Sequence, residues 1–144
     1  MALEFLGAEP KKILGSLLQF HLAYNSGAAF SLAPNATLFF SIFSLIVAIT
    51  TLRLVRNLES KPWAVVAGLV LGGITGNLLD RIFRPPGFLR GSVVDWIQVP
   101  HWPTFNVADS AIFIAAILAC ILSIRNIQPI PVKPTQTKED EKHD

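Results

Sequence analysis

Two aspartates, Asp95 and Asp109, stand fourteen positions apart in the stretch 92–110, Ser-Val-Val-Asp-Trp-Ile-Gln-Val-Pro-His-Trp-Pro-Thr-Phe-Asn-Val-Ala-Asp-Ser, which leads directly into an apolar run ending near Ile124. An ionised carboxylate is costly beside hydrocarbon, so an acid in such surroundings is a functional-site candidate. Two carboxyls held close in a low dielectric are driven to different pKa values. One then stays ionised as a base while the other keeps its proton as an acid, which is the requirement for activating water. The titration belongs to the pair rather than to either residue. For Asp95 and Asp109 to meet, the intervening Pro-His-Trp-Pro segment has to fold back, and its prolines favour that. The bland alternative for Asp109 is a helix N-terminal residue facing backbone N–H groups.

Other polar residues stand close to the same apolar sequence. Asn77 and Asp80 are three apart, as are Asn106 and Asp109, and each spacing places its pair on one helical face. Arg81 follows Asp80, so an Asp80–Arg81 ion pair at a membrane interface is the expectation there. The asparagines are read either as helix–helix hydrogen-bond partners or as groups that position a substrate amide. His101 has no second His or Cys near it and reads as an interfacial histidine. Cys120 is the single cysteine and reads as a small apolar residue, so neither a disulfide framework nor a zinc site can be built. No Gly-x-Ser-x-Gly, Gly-Lys-Ser/Thr or His-Glu-x-x-His occurs, which leaves serine-hydrolase, nucleotide and zinc-protease readings without support.

The elements that must position these residues are membrane spans. Of the 144 residues, 51% are apolar and only 15% charged, and the mean hydropathy is +0.49, whereas a soluble domain carries about a quarter charged residues. Between Glu9 and Glu139 the acids are Glu59, Asp80, Asp95 and Asp109, and the last three lie at or between apolar runs. The basic residues cluster at 53–61 and 125–142, flanking apolar runs where membrane proteins keep orienting cations. Nucleic-acid binding is a poor reading of such a pattern.

Spans are expected at about 36–54, 63–81 and 105–124, each near the ~20 residues needed to cross hydrocarbon. Pro62 suits the first turn of the second span, and Trp63 stands at its head as an interfacial aromatic. Gly68, Gly72 and Gly76 recur every four residues along that span, with Gly73 beside them, a small-residue stripe where another helix or a substrate segment can approach. Residues 13–30 suit one or two short strands, with Gly27 permitting a positive φ. The Pro-, Gly- and aromatic-rich 82–104 reads as a structured loop with at most short strands. Residues 1–12 read as an N-terminal segment, 13–127 as the membrane domain, and 128–144 as a disordered cytoplasmic tail. The positive-inside tendency then turns the Asp-bearing loop outward. The N-terminal segment must lie outside too, although nothing in it resembles an export signal, which points to a missing first helix.

The ordered set Asn25-Ser-Gly-Ala-Ala-Phe30, Gly76-Asn-Leu-Leu-Asp-Arg81, Val93-Val-Asp95 and Phe105-Asn-Val-Ala-Asp109 strongly resembles the bacterial lipoprotein signal peptidases (signal peptidase II). The likeness covers about residues 17–124. It implies a membrane α-helical fold: a four-helix bundle, present here as three transmembrane helices without the first, with a short extracytoplasmic β-region. The implied activity is that of an intramembrane aspartic endopeptidase of the bacterial cytoplasmic (inner) membrane, with its active site near the extracytoplasmic face. Members remove signal peptides from diacylglyceryl-modified prolipoproteins by cutting before the lipidated cysteine, and they are inhibited by globomycin. On this resemblance Asp95 and Asp109 are the catalytic pair, and Asn25, Asn77, Asp80, Arg81 and Asn106 are the substrate-binding or supporting residues. It implies no metal and no cofactor. The implied partners are the lipid-modified prolipoprotein signal peptides and membrane lipids, with no nucleic acid, and the protein is expected to be a monomer. Two departures stand out: residues 1–12 lack the family's initial helix and its Asp motif, and Trp96 occupies a position where Phe is usual. The rival classes are a small proton or cation carrier, against which the lack of mid-depth acids argues, and a non-catalytic scaffold built on the glycine stripe.

Overall fold

A computed structural model describes residues 10–26 and 36–130 of the chain. The expectations for Gly27, for residues 1–9 and for the tail beyond 130 fall outside the described residues. The elements run in the order β1 (Lys11–Lys12), β2 (Gln19–Asn25), α1 (Ala36–Val55), α2 (Lys61–Phe83), β3 (Val93–Gln98) and α3 (Val107–Ile124). All three helices are long and apolar enough to cross a membrane, so every apolar run read from the sequence is a helix. The chain is a membrane helical protein carrying a small antiparallel sheet.

Each helix has a local cause. α1 is an uncharged apolar run closed by Arg53. α2 starts after Ser60 with Pro62 in its first turn, where a missing N–H costs nothing. α3 begins at a reciprocal capping box: the Asn106 side chain accepts from the Asp109 backbone N–H, and the Asp109 side chain accepts from the Asn106 N–H.

Lipid tails are as apolar as leucine, so hydrophobicity alone does not drive helices together in a membrane; close packing and polar contacts do. The α2–α3 seam follows this rule. A Cβ on Gly73 would come within 2.5 Å of both the Ala108 carbonyl oxygen and Ile112 Cγ1, and one on Gly76 would meet Ala108 Cβ at 3.1 Å. Farther along the seam Ala115 is fully buried, with Val66 and Leu122 packed around it. The glycine stripe is therefore divided rather than continuous. Gly73 and Gly76 are occupied by α3, while Gly68 and Gly72 have nothing within 4 Å.

The sheet lies at one end of the bundle, in the order β1-β2-β3 and antiparallel throughout. β2 pairs with β3 from Gln19↔Gln98 to Asn25↔Val93, with an irregularity between Phe20 and Ala23. The loop 84–92 is held against the helices. Gly91 N donates to the Arg81 carbonyl at 2.9 Å, and a Cβ on Gly91 would lie 2.5 Å from the Asp80 carbonyl oxygen, so only glycine brings the chain this close. α1 fastens the same end. Thr37 Oγ1 donates to the Ser26 carbonyl. The fully buried Ser41 hydroxyl lies 2.8 Å from the Thr37 carbonyl oxygen and 2.7 Å from that of Leu89, its one proton serving either.

Candidate active site

The fold-back that the sequence required between Asp95 and Asp109 is a β-type closure. After β3 the chain turns through Val99–Pro103 and returns so that Phe105 bridges Ile97. Ile97 N donates to the Phe105 carbonyl at 2.8 Å, Phe105 N to the Ile97 carbonyl at 2.9 Å, and Trp96 N to the Phe105 carbonyl at 3.0 Å. The next residue, Asn106, is the N-cap of α3. The closure thus sets the start of α3 against the strand that carries Asp95.

Asn106 joins the two carboxyls. Its Nδ2 donates to Asp95 Oδ1 at 2.8 Å and to Asn77 Oδ1 at 3.0 Å. Its Oδ1 accepts from the Asp109 N–H at 3.0 Å, and its own backbone N–H donates to Asp109 Oδ2 at 3.2 Å. Because a backbone N–H can only donate, the contact from Asp109 fixes which end of the Asn106 amide is oxygen. Asn77 completes the ring, donating from Nδ2 to Asp109 Oδ1 at 2.7 Å. From β2, Asn25 Nδ2 reaches Asp95 Oδ2 at 3.1 Å. Of the residues assigned by the sequence, Asn25, Asn77, Asp95, Asn106 and Asp109 therefore form one connected network drawn from β2, α2, β3 and α3.

Asp95 is 2% exposed and Asn106 6%. Burial raises the Asp95 carboxyl above its usual value of 3.8, since desolvation penalises the charged form. The Asn25 hydrogen bond opposes that rise, the charge of Asp109 adds to it, and Asn106 and the Arg81 charge oppose it. Asp109 is less enclosed. It lines a cavity of about 670 Å³ together with Ser110 and the apolar Val99, Pro100, Trp102, Phe105, Phe113 and Ile114. An apolar pocket ending on one carboxyl, with the second carboxyl buried behind it, suits a hydrophobic ligand presenting a polar bond at its edge.

Asp80 departs from its expectation. Its ion pair is with Arg84, Nε to Oδ1 at 2.7 Å, and not with Arg81. Arg84 is four residues on and shares the helical face of Asp80, whereas Arg81 is turned away from it. The other oxygen, Oδ2, accepts from Val94 N at 3.0 Å, so Asp80 anchors β3 one residue before Asp95. Arg81 is instead buried, at 9% exposed. His101 is exposed, with φ +62°, beyond the network on the turn. Three contributors were not singled out from the sequence: Ser41, Arg84 and Ser110. A serine inside the apolar run of α1 and an acid–base pair spaced i, i+4 were the available signals for the first two.

A multi-pass membrane fold with two bridged aspartates at one end of the bundle defines the class as a membrane protein with an acid-pair site. The family model described as signal peptidase (SPase) II matches residues 1–125, and the chain belongs to that family. It is 47% identical over 121 residues to the lipoprotein signal peptidase of Streptomyces coelicolor, covering 84% of this chain and 59% of that protein. It is 44% identical over 120 residues to the one from Rhodococcus jostii, covering 83% and 61%. The chain thus spans about three fifths of the length of these curated relatives. A bacterial membrane enzyme solved by the in meso method superposes with a TM-score of 0.70 at 26% identity, covering 88% of this chain and 79% of that one. A second such structure gives 0.66 at 25% identity, covering 83% and 77%.

Proposed function

We propose that this chain carries the catalytic unit of an intramembrane aspartic endopeptidase that removes signal peptides from diacylglyceryl-modified prolipoproteins, cutting before the lipidated cysteine. The observation that carries the reading is the joining of Asp95 and Asp109 through the single residue Asn106. The names of the relatives support the substrate class.

In this mechanism Asp95, whose burial favours its protonated form, is the acid. Asp109, which lines the cavity, is the base. Asp109 takes a proton from water as the oxygen attacks the scissile carbonyl carbon, while Asp95 gives its proton to the carbonyl oxygen. The resulting tetrahedral species collapses with C–N cleavage, the leaving nitrogen takes the proton held by Asp109, and Asp95 recovers its own from the hydroxyl that becomes the new carboxyl. The asparagines hold both carboxyls in place through donors that need not reorganise during the reaction.

Residues 13–127 are the peptidase unit in this reading, acting as a monomer, and 128–144 are a cytoplasmic tail. Arg53 closes α1, and Arg125 caps α3 at the end away from the aspartates. The positive-inside tendency therefore orients the site toward the extracytoplasmic face of the bacterial cytoplasmic membrane. The test is cleavage of a purified diacylglyceryl-prolipoprotein in lipid by the wild type, Asp95→Asn and Asp109→Asn. Wild-type cleavage lost in both variants is the expected result. Turnover retained by either variant overturns the pair as the catalytic machinery.

A further inference from the structure

Arg81 is the charged side chain that the site's hydrogen-bond network leaves over. Its Nη1 is shut off from solvent and has no hydrogen-bond partner among the described residues. Asp80, its neighbour in sequence, is already engaged by Arg84 and by Val94 N. Arg81 lies four residues after Asn77 and so one turn along the same face, and Asn77 is the residue bonded to both Asp109 and Asn106. Its positive charge acts on Asp95 and on Asp109.

We propose that Arg81 is the positioning residue of the acid pair: its buried charge holds the two carboxyls in the singly protonated state, one ionised and one neutral. Two ionised carboxylates and one cation leave a net charge of −1, two neutral acids and the cation leave +1, and one of each leaves zero. Away from water an uncompensated charge is the costly outcome, and guanidinium does not give up its proton in proteins. Among the described residues the surrounding elements place no other buried cation beside the pair, and the lysines of β1, Lys11 and Lys12, are exposed. α1 has no acidic residue in its first turn and keeps Arg53 at its far end. On α2 Arg84 is committed to Asp80, and Arg90 in the following loop is exposed. β2 brings His21 and the exposed Tyr24, and α3 brings Asp109 itself.

The role in turnover rests on the peptidase reading; the charge coupling does not. Two measurements on the full chain separate them: the pH profile of kcat/KM for prolipoprotein cleavage, and a substrate-free infrared titration of the carboxylic-acid band, assigned with Asp95→Asn. Removing the cation makes ionisation of Asp95 harder, so Arg81→Gln moves the Asp95 infrared midpoint, and the limb of the profile that follows it, to higher pH by roughly one pH unit or more. Arg81→Lys keeps the charge and stays within about 0.3 pH unit of wild type on both measures, even where its rate falls. A rate lowered evenly across pH in Arg81→Gln with an unmoved midpoint overturns the proposal. So does an Arg81→Lys midpoint displaced by a full unit, a result that decides the matter if Arg81→Gln does not fold. If the wild type cleaves nothing while the midpoint moves in Arg81→Gln, the peptidase reading fails and the charge role stands.

Discussion

The two halves of the α2–α3 contact are held by different physics. Toward the middle of the bundle Gly73 lets the Ala108 carbonyl and Ile112 come close, and the fully buried Ala115 continues the seam. At the end that carries the aspartates, the same two helices meet through the hydrogen bonds of Asn77 with Asp109 and with Asn106, at 2.7 and 3.0 Å. The apolar seam depends on shape and holds the helices together. The polar end depends on donors and acceptors and fixes where two carboxyls sit. Substitutions at one end are therefore expected to change stability with little chemistry lost, and at the other to change chemistry with stability kept or even raised.

The largest expected effect tests the polar end alone. Asp95→Asn and Asp109→Asn preserve shape while removing acid and base, and each is expected to cut prolipoprotein cleavage by roughly 10²–10⁴-fold. The thermal midpoint in detergent should hold for Asp95→Asn, whereas Asp109→Asn turns one of the two oxygens that accept from Asn77 and Asn106 into a donor and should lower it slightly, by about 1 kcal/mol of stability. A variant that lost cleavage only by unfolding would erase the distinction between the two halves.

Asn106→Ala strikes where the halves join. It removes the N-cap of α3, worth about 1 kcal/mol, and the donor to Asp95. Leaving the buried Asp95 carboxyl without that partner costs about 1–3 kcal/mol, so cleavage should drop by roughly ten- to a hundredfold. Both stability and turnover respond here, and a drop in only one of them would place Asn106 wholly in one half.

The seam is tested by a neighbouring pair of glycines. Gly73→Ala puts a methyl 2.5 Å from the Ala108 carbonyl oxygen and Ile112 Cγ1, and overpacking of this kind costs about 1–3 kcal/mol. Gly72→Ala meets nothing within 4 Å and gains helix propensity, so it should be neutral or slightly stabilising. Thermal unfolding of the two variants side by side gives the comparison. Equal effects would mean that the stripe acts as a whole.

That pair also marks the limit of what the sequence could tell. The four-residue spacing of Gly68, Gly72 and Gly76 is visible in the sequence, but the glycine that touches α3 most closely is Gly73, because which face a helix turns to its neighbour is decided by the neighbour. The spans were legible from long uncharged runs ended by arginine. The network was legible as a set of residue types near apolar sequence and, through the resemblance, as a site. Its wiring was not: that Asn106 reaches both aspartates depends on Phe105 closing onto Ile97, a pairing that no periodicity in 82–104 announces. β1 is two lysines long, too short to show alternation. Adjacency in the sequence suggests Arg81 as the partner of Asp80, but helical geometry gives i+4 the shared face and hence Arg84 the contact.

The smallest expected effect concerns pH and sets the two halves in opposition. Burial raises the folded-state pKa of Asp95 above the 3.8 of an exposed carboxyl. Below 3.8 both folded and unfolded states hold the proton, and the group's contribution to stability is at its most favourable. As pH rises above that value, the unfolded chain releases the proton first and gains ionisation free energy that the folded chain lacks, so stability falls until the folded carboxyl also ionises. Asp95→Asn cannot ionise in either state and escapes this loss. The difference in thermal midpoint, Asp95→Asn minus wild type, should therefore grow as pH is raised from 3.8 toward neutrality and then level off, while the corresponding difference for Gly73→Ala stays constant. A difference for Asp95→Asn that shrinks with rising pH would mean that the donors around Asp95, namely Asn25, Asn106 and the Arg81 charge, outweigh its burial. In that case the acid assigned to Asp95 would belong to Asp109 instead.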